Sequence, residues 1–476
     1  MEKIGKNTAW QRPVWNALVG VSLVALITRG LTQPLPIRTE GLRIAIAEQM
    51  NITGDWVVPH LWGEPILTKP PGFYWTLALA QKIAGWDSLA AMRFVSILAL
   101  LAIAWVGAGA FRDRTGITTP LFIPVLASLA ATLASMGQVP SAEMDIPFAF
   151  WILWFWVVAF RLGRTKRDSG VHKSFVFGAL GLGLIGGMAV LFKWTAPAFF
   201  FPVWVWLVGF SPLTARQKIV GSVLCFTAAC LLPCLWIAGV VHKVGWEPFF
   251  QAVLSEALPH LSPAHHTRAY PFWEWISFPM LVVGMALPAG LPLLVLPFGR
   301  LKGLQKTICQ PWPFVLLGSI LFWTLMPGHR PRHALPIPLA LALLATPYWL
   351  RWMAAIPFRA YGLGIGLMGL AMGKALFSLG LPEQWEERDR LGEEAHQLRL
   401  LIGEDALGLD RVKEDGFVWQ SRIPKVLRIS KGETPLWVLC DQNQMGFWVE
   451  KDYQVRKEIQ HNRSTKLILL SKGPKT

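Results

Sequence analysis

Charge is scarce in this sequence. Only 16% of its 476 residues are Asp, Glu, Lys or Arg, against roughly 25% in an average soluble domain. A soluble chain of this length would divide into about three domains, and those would have no place for repeated apolar runs of about 20 residues, which exceed ordinary core helices. Cysteine is scarce too. The five cysteines are Cys225, Cys230, Cys234, Cys309 and Cys440; three share one apolar run and no two have C-x-x-C spacing, which excludes a disulfide framework and a cysteine-rich metal cluster. Internal repeats and low-complexity segments are absent, so a transporter built of two repeated halves finds no support. The amino-terminal stretch has a basic start and an apolar core but no small-residue cleavage site, so it reads as a retained first span rather than a signal peptide.

What the chain has in quantity is apolar surface, at 53% apolar and 12% aromatic residues. It also carries a net charge of +16. Residues 381–476 hold 16 basic and 16 acidic side chains, so the whole excess sits in the apolar part. That is the signature of cytoplasmic loops enriched in Lys and Arg, and no nucleic-acid partner is expected. Lys3, Lys6 and Arg12 ahead of the first run place the amino terminus in the cytoplasm. Alternation from there predicts eleven spans, over residues 14–28, 89–111, 121–136, 146–160, 175–191, 196–210, 219–240, 276–296, 314–325, 334–350 and 361–379. The expected fold class is an all-α polytopic membrane protein of about eleven transmembrane helices with a small C-terminal soluble α+β domain. Residues 1–381 are the membrane domain with external catalytic loops, and 382–476 the extracytoplasmic domain. The expected location is the inner (plasma) membrane.

The segment organising the rest is 38–75, RTEGLRIAIAEQMNITGDWVVPHLWGEPILTKPPGFYW. It lies between two long apolar runs yet concentrates Glu40, Arg43, Glu48, Asp55, His60, Glu64 and Lys69, and charge at a bilayer boundary is costly unless used. Leu42, Ala45, Ile46 and Met50 recur at helical spacing after Thr39, a potential cap, which predicts a short helix lying on the membrane surface. In Lys69-Pro70-Pro71, Pro71 suits a first helical turn and Pro70 keeps Lys69 out of it. An ammonium held at a helix amino terminus attracts an anion such as a phosphate; a snorkelling interfacial lysine is the plainer alternative.

With the expected topology, further ionisable residues fall on external loops or span ends: Glu143, Asp145, Lys193, His266, Arg330, Arg332 and His333. Glu40 fits a general base taking a hydroxyl proton, or a surface ion pair with Arg43. Asp145 fits catalysis or simple helix capping. Arg330 and Arg332 suit bidentate phosphate contacts. Adjacent His265 and His266 point in different directions and no third ligand is placed by spacing, so a divalent metal is possible but not supported, and no cofactor is expected.

The 38–75 segment, above all GDW-x-x-P followed by TKPP-x-x-YW, resembles the first external loop of polyprenyl-phosphate-dependent glycosyltransferases of the GT-C type. These include the aminoarabinose transferases acting on lipid A and the protein O-mannosyltransferases. AEMDIPFAF, FKWTAPAFFFP, SEALPHLSPAHHTRAYPFWEW and HRPRHALPIPLALALL extend the similarity over most of residues 1–350. The resemblance implies a glycosyltransferase that moves a sugar, with inversion, from a polyprenyl-phosphate donor to an acceptor hydroxyl of a lipid, glycan or protein at the outer membrane face. Its first loop often reads Asp-Glu-x-Arg with an essential leading Asp; here Glu40 keeps the acid-to-Arg43 spacing. Where the lipid A enzymes have a glutamate implicated in metal contact, this chain has Thr68, so their metal site does not carry over. The expected assignment is Glu40 and Asp145 as catalytic, with Arg43, Lys69, Glu143, Lys193, His266, Arg330, Arg332 and His333 binding substrate. The rival is a membrane transporter or flippase of a lipid-linked sugar.

Overall fold

The structure is a computed structural model, describing residues 13–28, 31, 39–85, 88–115, 122–135, 141–164, 171–261, 272–295, 311–326, 331–355, 366, 369, 373, 382–429, 434–460 and 466–472. Ten of the eleven expected apolar segments coincide with helices: α1 (Pro13–Thr28), α4 (Leu89–Thr115), α5 (Phe122–Ser135), α6 (Asp145–Leu162), α7 (Lys173–Phe192), α8 (Pro197–Gly209), α9 (Ala215–Val244), α11 (Phe272–Gly284) with α12 (Leu291–Val295), α13 (Trp312–Leu325) and α14 (Pro336–Ala355). One further helix, α10 (Trp246–Leu261), follows α9 in the stretch expected to be an external loop. The eleventh expected span, 361–379, lies almost wholly outside the described residues. Four helices are long and apolar enough to cross a membrane, at Leu89–Phe111, Asp145–Leu162, Lys173–Phe192 and Ala215–Val244. Trp105, Phe226 and Leu235 stand more than half exposed on them, which suits side chains whose solvent is lipid.

The helical core is aromatic and centred on α6. Trp156, Phe148 and Phe160 are fully buried; Trp156 donates its indole N–H to the Phe199 carbonyl at 3.0 Å and meets Trp312 edge-on with ring centroids 5.8 Å apart. Indoles bury well only when the N–H finds an acceptor. The α7 and α9 helices approach closely along their length, where Gly183 and Gly187 meet the α9 backbone at Cys225 and Ala229.

Segment 38–75 folds as α2 (Glu40–Thr53), a two-residue hairpin of β1 (His60–Leu61) and β2 (Glu64–Pro65), and α3 (Gly72–Ala84). Protein covers the apolar face of α2. Ile44, Ala45, Ile46, Ala47 and Met50 are all essentially inaccessible, because α3 covers one side and the C-terminal domain the other. Apolar periodicity specifies a buried face but not whether lipid or protein buries it.

From Pro382 the chain forms α15 (Pro382–Ile402), β3 (Ala406–Asp410), α16 (Asp415–Gln420), β4 (Lys425–Arg428), β5 (Trp437–Asp441), α17 (Met445–Val449), β6 (Tyr453–Gln460) and β7 (Lys466–Lys472). The five strands make one sheet in the order β4-β3-β5-β7-β6. The first three are parallel, and β7 pairs antiparallel with β5 and β6. Parallel strands need cover on both faces, and the central strands β3 and β5 are buried at their middle residues.

Candidate active site

Loop 38–75 is pinned at several points. Asp55 Oδ1 accepts the Val57 and Val58 amides at 3.0 Å and pairs with Lys243, at the end of α9, at 2.7 Å. Trp236 donates to the Val57 carbonyl at 2.8 Å. Trp194 donates to the Thr68 carbonyl at 3.0 Å, which sets the turn carrying Lys69 beside the turn carrying Lys193. Gly72 allows this approach: a Cβ there would sit 2.8 Å from the Leu191 carbonyl oxygen. Lys69 is half-buried, immediately before the first turn of α3.

Two groups of ions meet where α2, α4 and the start of α6 converge. The inner one surrounds Glu40, which is fully buried. Arg93 of α4 grips it with two N–H donors at 2.8 and 2.9 Å, and the Ala142 amide donates to Oε1 at 2.7 Å. Ser96, one turn along α4, donates to the Ser141 carbonyl at 2.6 Å. Arg93 and Ser96 therefore hold the stretch that leads into α6.

The outer group faces away from this knot. Glu143 accepts the Thr39 hydroxyl at 2.6 Å and is ion-paired with Arg43, which also donates to Thr39 Oγ1 at 3.0 Å. Asp145 pairs with Lys193 at 3.0 Å, their side chains 13% and 16% exposed. The Lys193 ammonium also lies 5.5 Å from the Phe148 ring centroid, a distance suited to cation–π attraction. Arg332 sits in the short turn Pro331–Ala334, and His333 beside it has its ring 5.6 Å from that of Trp323.

Burial holds the Arg43 guanidinium below its ordinary pKa, opposed by Tyr74, Asp145 and Glu40 and reinforced by Arg332. Lys193 is lowered in the same way, burial first, with Asp145 sustaining its charge and Arg43 and Arg332 working against it. These mutual effects mark Arg43, Asp145, Lys193 and Arg332 as one electrostatic cluster in which cations outnumber carboxylates.

The structure thus gathers Glu40, Arg43, Glu143, Asp145, Lys193 and Arg332, with the Lys69 turn alongside. His266 and Arg330 fall outside the described residues. Two sequence readings change. Arg43 pairs with Glu143 rather than Glu40, and Thr39 gives its hydroxyl to Glu143 instead of capping α2. Residues that sequence reasoning passed over are Arg93, Ser96, Thr39 as a ligand of Glu143, and Tyr74. Arg93 had a signal: it is the one charged residue inside the 89–111 run, and an intramembrane ion is a functional pointer by itself.

Position 68 is a threonine whose carbonyl is bound by Trp194, and among the described residues no three His, Cys, Asp or Glu side chains converge.

A groove of about 620 Å³ lies between α3 and α4, lined by Leu31, Thr76, Leu79, Ile83, Phe94 and Leu98 among others. It is apolar, and Phe94 adjoins Arg93 in sequence.

No family model matches the chain. It is 28% identical over 407 residues to the undecaprenyl phosphate-alpha-4-amino-4-deoxy-L-arabinose arabinosyl transferase of Pseudomonas aeruginosa strain UCBPP-PA14, covering 79% of this chain and 68% of that protein. It is 27% identical over 347 residues to the transferase of the same name from Yersinia enterocolitica, covering 69% of this chain and 57% of that protein. The chain spans about two-thirds or less of the length of these curated relatives. The crystal structure of ArnT from Cupriavidus metallidurans bound to undecaprenyl phosphate superposes with a TM-score of 0.68 at 14% identity, covering 97% of this chain and 99% of that one; its apo form gives 0.60. By sequence the chain is similar to the undecaprenyl-phosphate aminoarabinose transferases, and by structure it shares the GT-C fold of ArnT.

Proposed function

We propose that this protein is a membrane glycosyltransferase that moves a sugar from a polyprenyl phosphate to an acceptor hydroxyl at the outer face of the inner membrane. The observation that carries the reading is a semi-buried carboxylate, Asp145, held against Lys193 within a cluster that also contains Arg43 and Arg332. Departure of a polyprenyl phosphate builds negative charge on its oxygens while the acceptor hydroxyl loses a proton, so the reaction needs fixed cations and a base within a few ångströms of one another.

Lys193, Arg332 and the neighbouring Lys69 take the phosphate. As phosphate oxygens engage Lys193, Asp145 loses part of its ion pair and becomes a better proton acceptor for the hydroxyl. Glu40 contributes differently. Its oxygens already accept N–H bonds from Arg93 and Ala142 at zero exposure, so it serves by holding α2, α4 and the start of α6 together, and the base is Asp145. Arg43 orients Glu143 and adds to the positive field. The apolar groove between α3 and α4 has the chemistry of an isoprenoid chain.

With the amino terminus in the cytoplasm by its basic flank, Lys3, Lys6 and Arg12, eleven crossings would leave the C-terminal domain outside. Contact of the C-terminal sheet domain with α2 supports its lying on the same side as the loop, outside the cell. The relatives' names favour an aminoarabinose donor; lipid A, a glycan or a protein as acceptor rests on the broader GT-C resemblance. A flippase gains nothing from a base set among phosphate-binding cations. Purified protein given labelled undecaprenyl-phosphate aminoarabinose and envelope extract as acceptor source releases undecaprenyl phosphate and labels an acceptor. Translocation of intact donor across vesicles without release would overturn the assignment.

A further inference from the structure

The C-terminal domain meets the membrane domain on loop 38–75. Gly41, between Glu40 and Arg43 in α2, packs backbone to backbone on Gly416 of α16: a Cβ at Gly41 would sit 2.2 Å from the Gly416 Cα. Around that contact the hairpin is clamped. Asp415 is 5% exposed and accepts the Trp62 indole N–H at 2.9 Å, with the Arg428 guanidinium 3.6 Å away, while the Arg428 amide donates to the Trp62 carbonyl at 3.0 Å. Farther along α2, Glu48 pairs with Arg422 at 2.9 Å, and Arg422 lies 3.9 Å from the Trp419 ring centroid. The buried apolar residues of α2 and of α16 belong to one continuous core.

This is not a tethered accessory domain. Interfaces inside a chain that tolerate domain motion are polar and loosely packed, whereas here two glycines let backbones touch and a carboxylate is buried in the contact. We propose that the C-terminal domain is a positioning element for the catalytic loop, with Gly416 and Asp415 setting the height of α2 and so the placement of Arg43 and Thr39 against Glu143. It deepens the proposed transfer reaction and rests on it. Lys193 and Arg332 stand on elements outside these contacts, and the turn carrying Lys69, although on the same loop, is held by the Trp194 hydrogen bond to the Thr68 carbonyl. Disturbing the contact therefore affects turnover and spares donor binding.

The test uses the full-length protein in lipid nanodiscs, with release of undecaprenyl phosphate as the rate and binding of undecaprenyl phosphate itself as the affinity. Gly41→Ala, whose Cβ would overlap the Gly416 backbone and so pushes α2 away by about the size of a methyl group, is expected to lower kcat by about 10²-fold, the cost of displacing a catalytic constellation by roughly 1 Å. KM and lipid affinity stay near wild type. In case that variant does not fold, a charge exchange gives a second route: Glu48→Arg lowers kcat, and Glu48→Arg with Arg422→Glu restores most of it, a rescue that general destabilisation does not produce. Wild-type kcat in a folded Gly41→Ala protein, equal losses in kcat and lipid affinity, or no rescue in the exchanged pair would overturn the positioning role. Absence of turnover in wild type itself would instead count against the transfer reaction.

Discussion

Glu40 and Asp145 are both carboxylates at helix starts beside one apolar boundary, and the fold uses them oppositely. Glu40 is inaccessible and bound by Arg93 and the Ala142 amide; Asp145 is 13% exposed and shares one lysine. A buried ion pair of the first kind adds little net stability over an apolar pair, but losing either partner strands a charge in a low-dielectric interior. A semi-exposed carboxylate beside cations can still exchange protons with a substrate. The lesson is that carboxylates close in sequence context part according to how many of their lone pairs the fold has already filled.

The strongest way to break this contrast is at the knot. Arg93→Met leaves Glu40 ionised and unpaired, with an expected destabilisation of about 3–5 kcal/mol, and yield and thermal unfolding in detergent fall together. Glu40→Leu combined with Arg93→Met recovers most of that stability, since no charge remains buried. Recovery absent from the double variant would show that the pair does more than satisfy itself.

At Asp145 the effect is chemical. Asp145→Asn is expected to fold normally and to lose about 10²–10⁴ in turnover, the span for a missing general base, with undecaprenyl phosphate binding retained or strengthened because a negative charge has left the cation cluster. Normal turnover in this variant would return the base to Glu40 or pass it to Glu143. Next in size, Lys193→Ala removes one of the donors proposed for the phosphate and is expected to cost about 10²–10³ in rate, this time with weaker lipid binding, read by titration with undecaprenyl phosphate.

The smallest expected effect is the pH dependence contributed by Asp415 at the domain contact. Burial lifts the Asp415 carboxyl above its ordinary range, against the pull of the Trp62 N–H and the Arg428 guanidinium and with Glu414 adding to the rise. A carboxyl raised in the folded state contributes stability that is complete below its unfolded pKa and is lost as pH rises through the folded value. Docking of the sheet domain therefore tightens on acidification from neutral pH. Asp415→Asn keeps an acceptor for Trp62 but does not titrate, so its unfolding temperature should show less dependence on pH than wild type. Parallel profiles for the two proteins would assign the dependence elsewhere.

How much of this was legible beforehand varies by element. Apolar runs such as 89–111 and 175–191 announced α4 and α7 directly, because a helix that must satisfy its backbone in lipid needs an unbroken run of matching length. The TKPP turn was legible for the same local reason, two prolines constraining one lysine. Glu40 was singled out as a candidate base, yet its partner Arg93 stands 53 residues away, and nothing in i, i+3 spacing told that Arg43 would turn to Glu143. The composition break near 382 marked a separate polar unit, but Gly41 and Gly416, far apart in the chain, carry no sign that they touch.

The sequence by itself determined what its own neighbours could enforce: which segments are apolar enough to bury, where prolines and glycines end them, and that ionisable residues cluster outside the spans. Tertiary structure alone decided which ion faces which. Pairing Glu40 with Arg93, Glu143 with Arg43 and Asp145 with Lys193 required helices distant in sequence to pack first, and burial on packing is what separates a carboxylate that is locked from one that remains available to react.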